Sequence, residues 1–283
     1  MERNKASLTA QRIALRRAAH QLLDKPPVFE DPFALRIIGK EAAADLRAHP
    51  DRYETTRLSP FIRAFAAARS RFAEDELARS VQRGTEQYVI LGAGLDTFAC
   101  RNPFSEILAV FELDHPATQK WKLDILGRNG LASKGKCTFI AADLSATPLN
   151  DALRNTGFRS DSPAFFSCLG VSQYLDKAVF HSILKQIAAA SPDSGIAFDY
   201  TTPPADKTPG QKNAFASIER AVSSLGEPWV SFFTPGELAD KLREAGFSDI
   251  TDLGGDELNA KYFSGRNDGL RVGSLSRVVR ARR

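Results

Sequence analysis

"QYVILGAGLDTFACR", residues 87–101, is a short apolar run that ends in two glycines and passes into a helix-like stretch. After a strand, a glycine-rich turn lets the backbone approach a ligand closely, while the segment that follows offers its free amide groups. A dinucleotide-binding turn favours G-x-G-x-x-G/A, because a small third residue lets helix and strand pack beside the pyrophosphate. Here Gly92 and Gly94 are followed by Asp96 and, at the third position, by Thr97. That pattern points to a nucleotide-like cofactor and disfavours a dinucleotide.

From this turn outward, short apolar runs alternate with helical stretches, the pattern of a parallel sheet wrapped in helices. Strands are expected near 87–91, 107–113, 137–142, 163–168, 195–200, 247–253 and 272–280. The second run, "ILAVFELDHP", ends in acids. Asp114 stands about twenty positions beyond Gly92, the distance at which a carboxylate meets ribose hydroxyls. Glu112 competes with it, because alternation puts both side chains on one face and periodicity does not choose between them. The third run, "FIAADLS", brings Asp143 to the same carboxyl edge.

The first third reads as helical. Asp31–Pro32 with Gly39, and Ser59–Pro60 with Gly84, look like capped helix starts and glycine stops, and Phe61, Ile62, Phe65, Ala68, Phe72 and Leu77 give the second helix an apolar stripe. Thr234, Pro235 and Glu237 form a capping-box start for a helix that ends at Gly246. Between the fifth and sixth strands, residues 201–233 carry a Pro-rich loop and a helix, an insertion of the kind that covers binding sites. The expected division is a helical cap over 1–84 and a cofactor-binding α/β domain over 85–283.

With 43% hydrophobic and 25% charged residues, the composition is that of a soluble globular protein, and no apolar run approaches the roughly 18 residues of a membrane span. The basic, amphipathic start "MERNKASLTAQRIALRRAAHQLL" resembles a transit peptide superficially, but it runs straight into patterned sequence and reads as a packed first helix. Cys100, Cys137 and Cys168 have no close pairing and share no zinc-ligand spacing with the four histidines, which suits reduced thiols in a cytoplasmic protein. The net charge of +4 comes from scattered arginines with no interleaved aromatics, which argues against nucleic acid as a partner.

The segments "SLTAQRIALRRAAHQLL", "FEDPFALRIIG", "AARSRFAEDEL", "VILGAGLDTFACR", "FELDHPATQKWK", "AADL", "LGVSQYL", "FTPGELADKLREAGF" and "KYFSGRNDGL" occur in this order across almost the whole chain. The ordered set resembles the leucine carboxyl methyltransferase family, in particular its bacterial branch with the tetracenomycin-type polyketide O-methyltransferases. The resemblance implies an α/β class I methyltransferase that uses S-adenosyl-L-methionine, with a Rossmann-like seven-stranded sheet, an antiparallel last strand and an N-terminal helical cap. By motif it assigns Gly92 and Gly94 to the cofactor turn, Asp114 to the ribose, and Asp143 with Leu144 to the adenine. Arg69 in "AARSRF" takes the methionine carboxylate, a contact suited to a guanidinium, with Arg71 as the alternative. One departure stands out: Leu169 occupies a position where the eukaryotic enzymes carry glutamate, which favours a small-molecule acceptor over a protein C-terminus.

Methyl transfer by direct displacement requires alignment and exclusion of water, with no metal and no covalent intermediate. Tyr174 and Tyr200 are the candidate catalytic side chains at the acceptor, and His115 is a weaker candidate base. The rival readings are a dinucleotide oxidoreductase, a cofactor-binding protein without catalysis, and a methyltransferase acting on a protein carboxylate. The acceptor is expected to be a small-molecule carboxylate ahead of a hydroxyl; the sequence leaves the oligomeric state open.

Overall fold

The computed structural model describes residues 5–54, 56–205 and 207–283. Seven strands form one sheet: β1 (Gln87–Leu91), β2 (Ala109–Asp114), β3 (Cys137–Ala141), β4 (Ala164–Cys168), β5 (Gly195–Thr201), β6 (Asp249–Leu253) and β7 (Ser276–Arg282). Their order is β3-β2-β1-β4-β5-β7-β6. The first five run parallel, and β7 lies antiparallel between β5 and β6. This is the α/β class I Rossmann-like methyltransferase fold with an antiparallel last strand and a helical region before the sheet.

The central strands are apolar on both faces because helices cover both. Val89, Leu91, Phe111, Leu113, Phe166 and Phe198 face a core that includes Phe180, Leu184 and Leu238 from the helices Lys177–Ala188 and Pro235–Ala245. Tyr88, Ile90, Val110, Phe165 and Ala197 face the other way, against Ala64, Ala67, Ala68, Phe72 and Leu77 of the long helix Ser59–Gln82. Alanines on that helix let it approach the sheet closely, and Phe72, fully buried, adds roughly 1.5–3 kcal/mol of apolar stabilisation. Strand order reverses between β1 and β4, so the crevice available to a ligand opens at the carboxyl ends of these strands.

Local sequence signals hold with four corrections. The capping box at Thr234 is half formed: the Thr234 hydroxyl accepts from the Glu237 amide (3.2 Å), but the Glu237 carboxylate takes Lys177 (2.6 Å) rather than the cap amide. Asp31 does not cap a helix. Its Oδ1 accepts from the Phe33 amide (3.0 Å) ahead of the single turn Ala34–Ile37, and its buried carboxylate also receives the Thr97 hydroxyl. Ser59 is the first helical residue, with Leu58 in the cap position, and its hydroxyl accepts from Arg16 instead (3.1 Å). The last strand begins at Ser276 because Val272, although buried, pairs its backbone with the Asn259 side-chain amide (2.9 and 3.1 Å). Among the described residues, no helix is long and apolar enough to cross a membrane.

Candidate functional site

The turn after β1 is pinned by the Gly92 and Ala93 amides, which both donate to the Leu113 carbonyl (2.8 and 3.0 Å). Gly92 and Gly94 have φ of +66° and +49°, the left-handed region that favours glycine. Each is also approached from outside. A Cβ on Gly92 would collide with Val171 Cγ2 of the loop after β4, and one on Gly94 would stand 3.1 Å from Ala10 Cβ of the first helix, Leu8–Leu23. Arg17 of that helix reaches the Leu95 carbonyl (2.7 Å). The third residue of the pattern, Thr97, is built into the cap: its hydroxyl donates to Asp31 (2.8 Å) and accepts from Arg101 (3.1 Å). Burial alone would raise the Asp96 carboxyl, but Arg17, Arg101 and Lys122 outweigh it and hold the group below the usual carboxylate value.

The two acids of β2 share a face, as alternation requires, yet they do different work. Glu112 is fully buried and paired with Lys122 of the helix Pro116–Arg128. Burial raises its carboxyl, and Lys122 opposes the rise. Asp114 ends the strand, accepting from the Gly94 amide and from the His115 amide (2.6 Å). Burial raises it too, against the pull of those two N–H groups. The Ala142 amide donates to the Asp114 carbonyl (2.8 Å), which lays the loop after β3 alongside. In that loop Asp143 is half-buried and accepts from the Ser145 amide and hydroxyl (2.9 and 2.6 Å), while Leu144 is buried in the core. His115 caps the helix that follows, with Nδ1 accepting from the Ala117 amide (3.3 Å).

Arg69 and Arg71 lie on opposite sides of the long helix. Arg71 is half exposed and pairs with Asp75 (2.8 Å), away from the crevice. Arg69 is buried. Its Nη1 donates to Asp199 of β5 (3.0 Å), its guanidinium lies over the Phe65 ring (5.9 Å), and its Nη2 comes within 2.7 Å of where a Gly170 Cβ would stand.

The two tyrosines separate. Tyr174 ends the short turn Ser172–Tyr174 that begins beside Val171, and Arg69 and Glu227 are near enough to act on its charge. Its phenol, which burial raises, lies beside Thr9 Oγ1 and Trp229 Nε1, both buried without a well-formed hydrogen bond. Tyr200 points to the opposite face of β5 from Asp199 and donates to Asp252 of β6 (2.7 Å). That placement is a correction: burial and Asp252 raise this phenol, and its hydroxyl is committed to the far edge of the sheet.

Three participants escaped sequence reasoning. Asp199 had a signal, an acid inside the apolar run "GIAFDYT". Glu227 had none: it accepts from the Ser7 hydroxyl (2.9 Å) and the Leu8 amide (2.8 Å), joining the insertion to the start of the first helix. Trp229 likewise reaches Tyr174 only through the fold.

A glycine turn at the switch point, an acid ending the second strand and a cap that brings an arginine to the crevice define a class I S-adenosylmethionine-dependent methyltransferase fold. The family model for leucine carboxyl methyltransferase matches residues 10–188, and the chain belongs to that family. It is 33% identical to YktD of Bacillus subtilis (strain 168), named as an S-adenosyl-L-methionine-dependent methyltransferase, over 95% of each chain. A similarly named protein of Mycobacteroides abscessus is 29% identical over 85% of this chain and 76% of its own. Two crystal structures share the fold at TM-score 0.60 and 16% identity. One is a DUF574 family protein from Streptomyces avermitilis, covering 95% of this chain and 96% of its own. The other is described as a methyltransferase from Thermobifida fusca and covers 99% and 95%.

Proposed function

We propose that the protein is an S-adenosylmethionine-dependent O-methyltransferase of a small-molecule carboxylate, akin to the bacterial branch that includes the tetracenomycin-type enzymes. The observation that carries this reading is the convergence on one crevice of the Gly92–Gly94 turn, the buried Asp114 carboxylate and the buried Arg69 guanidinium. The donor set fits the cofactor. Gly92 and Gly94 would lie against it, Asp114 would take the ribose hydroxyls, Asp143 and Leu144 the adenine, and Arg69 the methionine carboxylate. When bound, S-adenosylmethionine supplies a methyl group on a sulfonium, open to direct displacement by an oxygen nucleophile.

The remaining work falls to the cap, residues 1–84 in our division, and to the insertion that joins it. Ala10 and Val171 close over the turn, Glu227 holds the start of the first helix, and water is excluded by their packing. Tyr174 is the side chain best placed to hold an acceptor, with Thr9 Oγ1 and Trp229 Nε1 as further polar atoms beside it. The nearby Glu227 carboxylate is engaged by the Ser7 hydroxyl and the Leu8 amide. His115 is engaged as a helix cap, and burial keeps the Tyr174 phenol protonated at neutral pH. An acceptor already ionised at pH 7 suits such a site, and a carboxylate with a pKa near ~4 is one. Leu169, half-buried in the core, leaves an apolar wall where the eukaryotic enzymes carry an acid.

Calorimetry with S-adenosylmethionine, S-adenosylhomocysteine and NAD tests the cofactor, and comparable binding of NAD overturns it. Incubation with a panel of small carboxylic acids, followed by mild alkali and detection of released methanol, tests the acceptor. Cofactor binding with no transfer to any carboxylate or hydroxyl overturns the catalytic reading.

A further inference from the structure

Arg69 does not stand alone in its burial. Asp199, 3% exposed, divides its carboxylate between two partners on different elements. Oδ2 accepts from Arg69 Nη1 (3.0 Å), and Oδ1 accepts from the Gly170 amide (2.5 Å). The Asp199 backbone carbonyl also accepts from the Ser172 hydroxyl (2.6 Å). Gly170, at φ +71°, turns its bare Cα toward the guanidinium, so the arginine is confined between Gly170, Phe65 and the acid.

We propose that Asp199 is a positioning residue for the cofactor, acting through Arg69 and resting on the functional reading above. A guanidinium binds a carboxylate well only when its planar fork is aimed, and a long side chain loses rotamer entropy when it is held. Asp199 fixes one edge of the fork in advance and leaves its other N–H groups for a second carboxylate. The other carboxylate oxygen holds the Gly170 amide, which keeps that glycine set against the guanidinium. Gly170 belongs to the same arrangement, since a side chain there would displace the guanidinium.

The test compares two ligands that differ in the amino-acid tail: S-adenosylhomocysteine, which carries the carboxylate, and 5′-methylthioadenosine, which lacks it. Asp199→Asn has one acceptor oxygen in place of two and no charge, so it cannot serve Arg69 and Gly170 together. It is expected to weaken S-adenosylhomocysteine by about 10- to 100-fold, the range of a charge-assisted contact, and to leave 5′-methylthioadenosine unchanged. In an Arg69→Lys background the same substitution is expected to add no further loss. Parallel weakening of both ligands, no weakening of either, or full additivity with Arg69→Lys overturns the inference. Should Asp199→Asn fail to fold, Asp199→Glu takes its place, moving the charge by one methylene with the same selective loss expected. A wild-type chain that binds neither ligand overturns the functional reading itself, a result distinct from an unselective Asp199 variant.

Discussion

Ala10 of the first helix packs on Gly94 so closely that a Cβ on the glycine would stand 3.1 Å from the alanine's own. The first helix is therefore in contact with the turn after β1, and the turn is confined from two sides, by Ala10 above Gly94 and by Val171 above Gly92.

Substitutions in that turn are expected to differ in severity. Both glycines sit at positive φ, which costs an L-residue about 1–2 kcal/mol. Gly94→Ala needs Ala10 to give by a few tenths of an ångström, whereas Gly92→Ala drives a methyl into Val171. Melting temperatures and S-adenosylhomocysteine affinities should fall further for Gly92→Ala, and Val171→Ala should recover part of that loss. Equal effects, or no recovery, would show that the contact with Val171 is not what confines the turn.

The two acids of β2 should separate cleanly by readout. Asp114→Ala removes a charged acceptor from the proposed ribose contact and is expected to cost on the order of 1.5–3 kcal/mol of cofactor affinity. Glu112→Gln leaves Lys122 charged and buried without its carboxylate, so it is expected to cost roughly 3–5 kcal/mol of stability. Denaturant titration and calorimetry on both variants check this, and a Glu112 variant that loses affinity at unchanged stability would move the ribose contact to Glu112.

Tyr200→Phe and Tyr174→Phe are expected to have opposite profiles. The first removes one hydrogen bond to Asp252, which keeps Arg277 (2.8 Å), and should cost about 1 kcal/mol of stability with turnover intact. The second should lower turnover or raise KM for the acceptor with little change in melting. Loss of turnover in Tyr200→Phe would return that phenol to the acceptor side.

The pH profile follows from the acceptor. A carboxylate is ionised throughout pH 6–8, so the rate should stay nearly flat over about that interval, and the methyl ester should release methanol in mild alkali. A phenol near ~10 gains a factor of about ten in its ionised fraction per pH unit, so an ether-forming enzyme would show a rising limb and an alkali-stable product.

The thiols should be silent in the folded state. Burial pushes Cys100 up to about 11 and Cys137 up to about 12, with Glu112 adding to the rise at Cys137, so little thiolate exists at neutral pH. A chromogenic disulfide reagent at pH 7.5 is expected to report no fast thiol in the native chain and three after denaturation. A fast native thiol would mean that one of these sites opens to solvent.

What the sequence determined by itself was local. The central strands were legible as short, mostly apolar runs, because a strand buried on both faces offers few places for polar side chains, as "QYVIL" and "AFFSC" show. The helix Pro235–Ala245 was legible from Thr234 at its start and Gly246, at φ +110°, at its end, since caps act over one turn of chain. The glycine turn and the acid ending β2 were legible because their spacing spans a single strand–turn–strand unit. The different engagements of Glu112 and Asp114 were not, because both satisfy the alternation; Lys122 packs back from the next helix and pairs with Glu112. Nor could the sequence separate Tyr174 from Tyr200, which depends on whether β6 supplies Asp252, or pair Asp199, an acid visible in its apolar run but whose partners stand 130 and 29 residues away. Such pairings are made by the order of strands in the sheet and by the cap folding back over it, and no local pattern encodes which distant charge will be buried beside which.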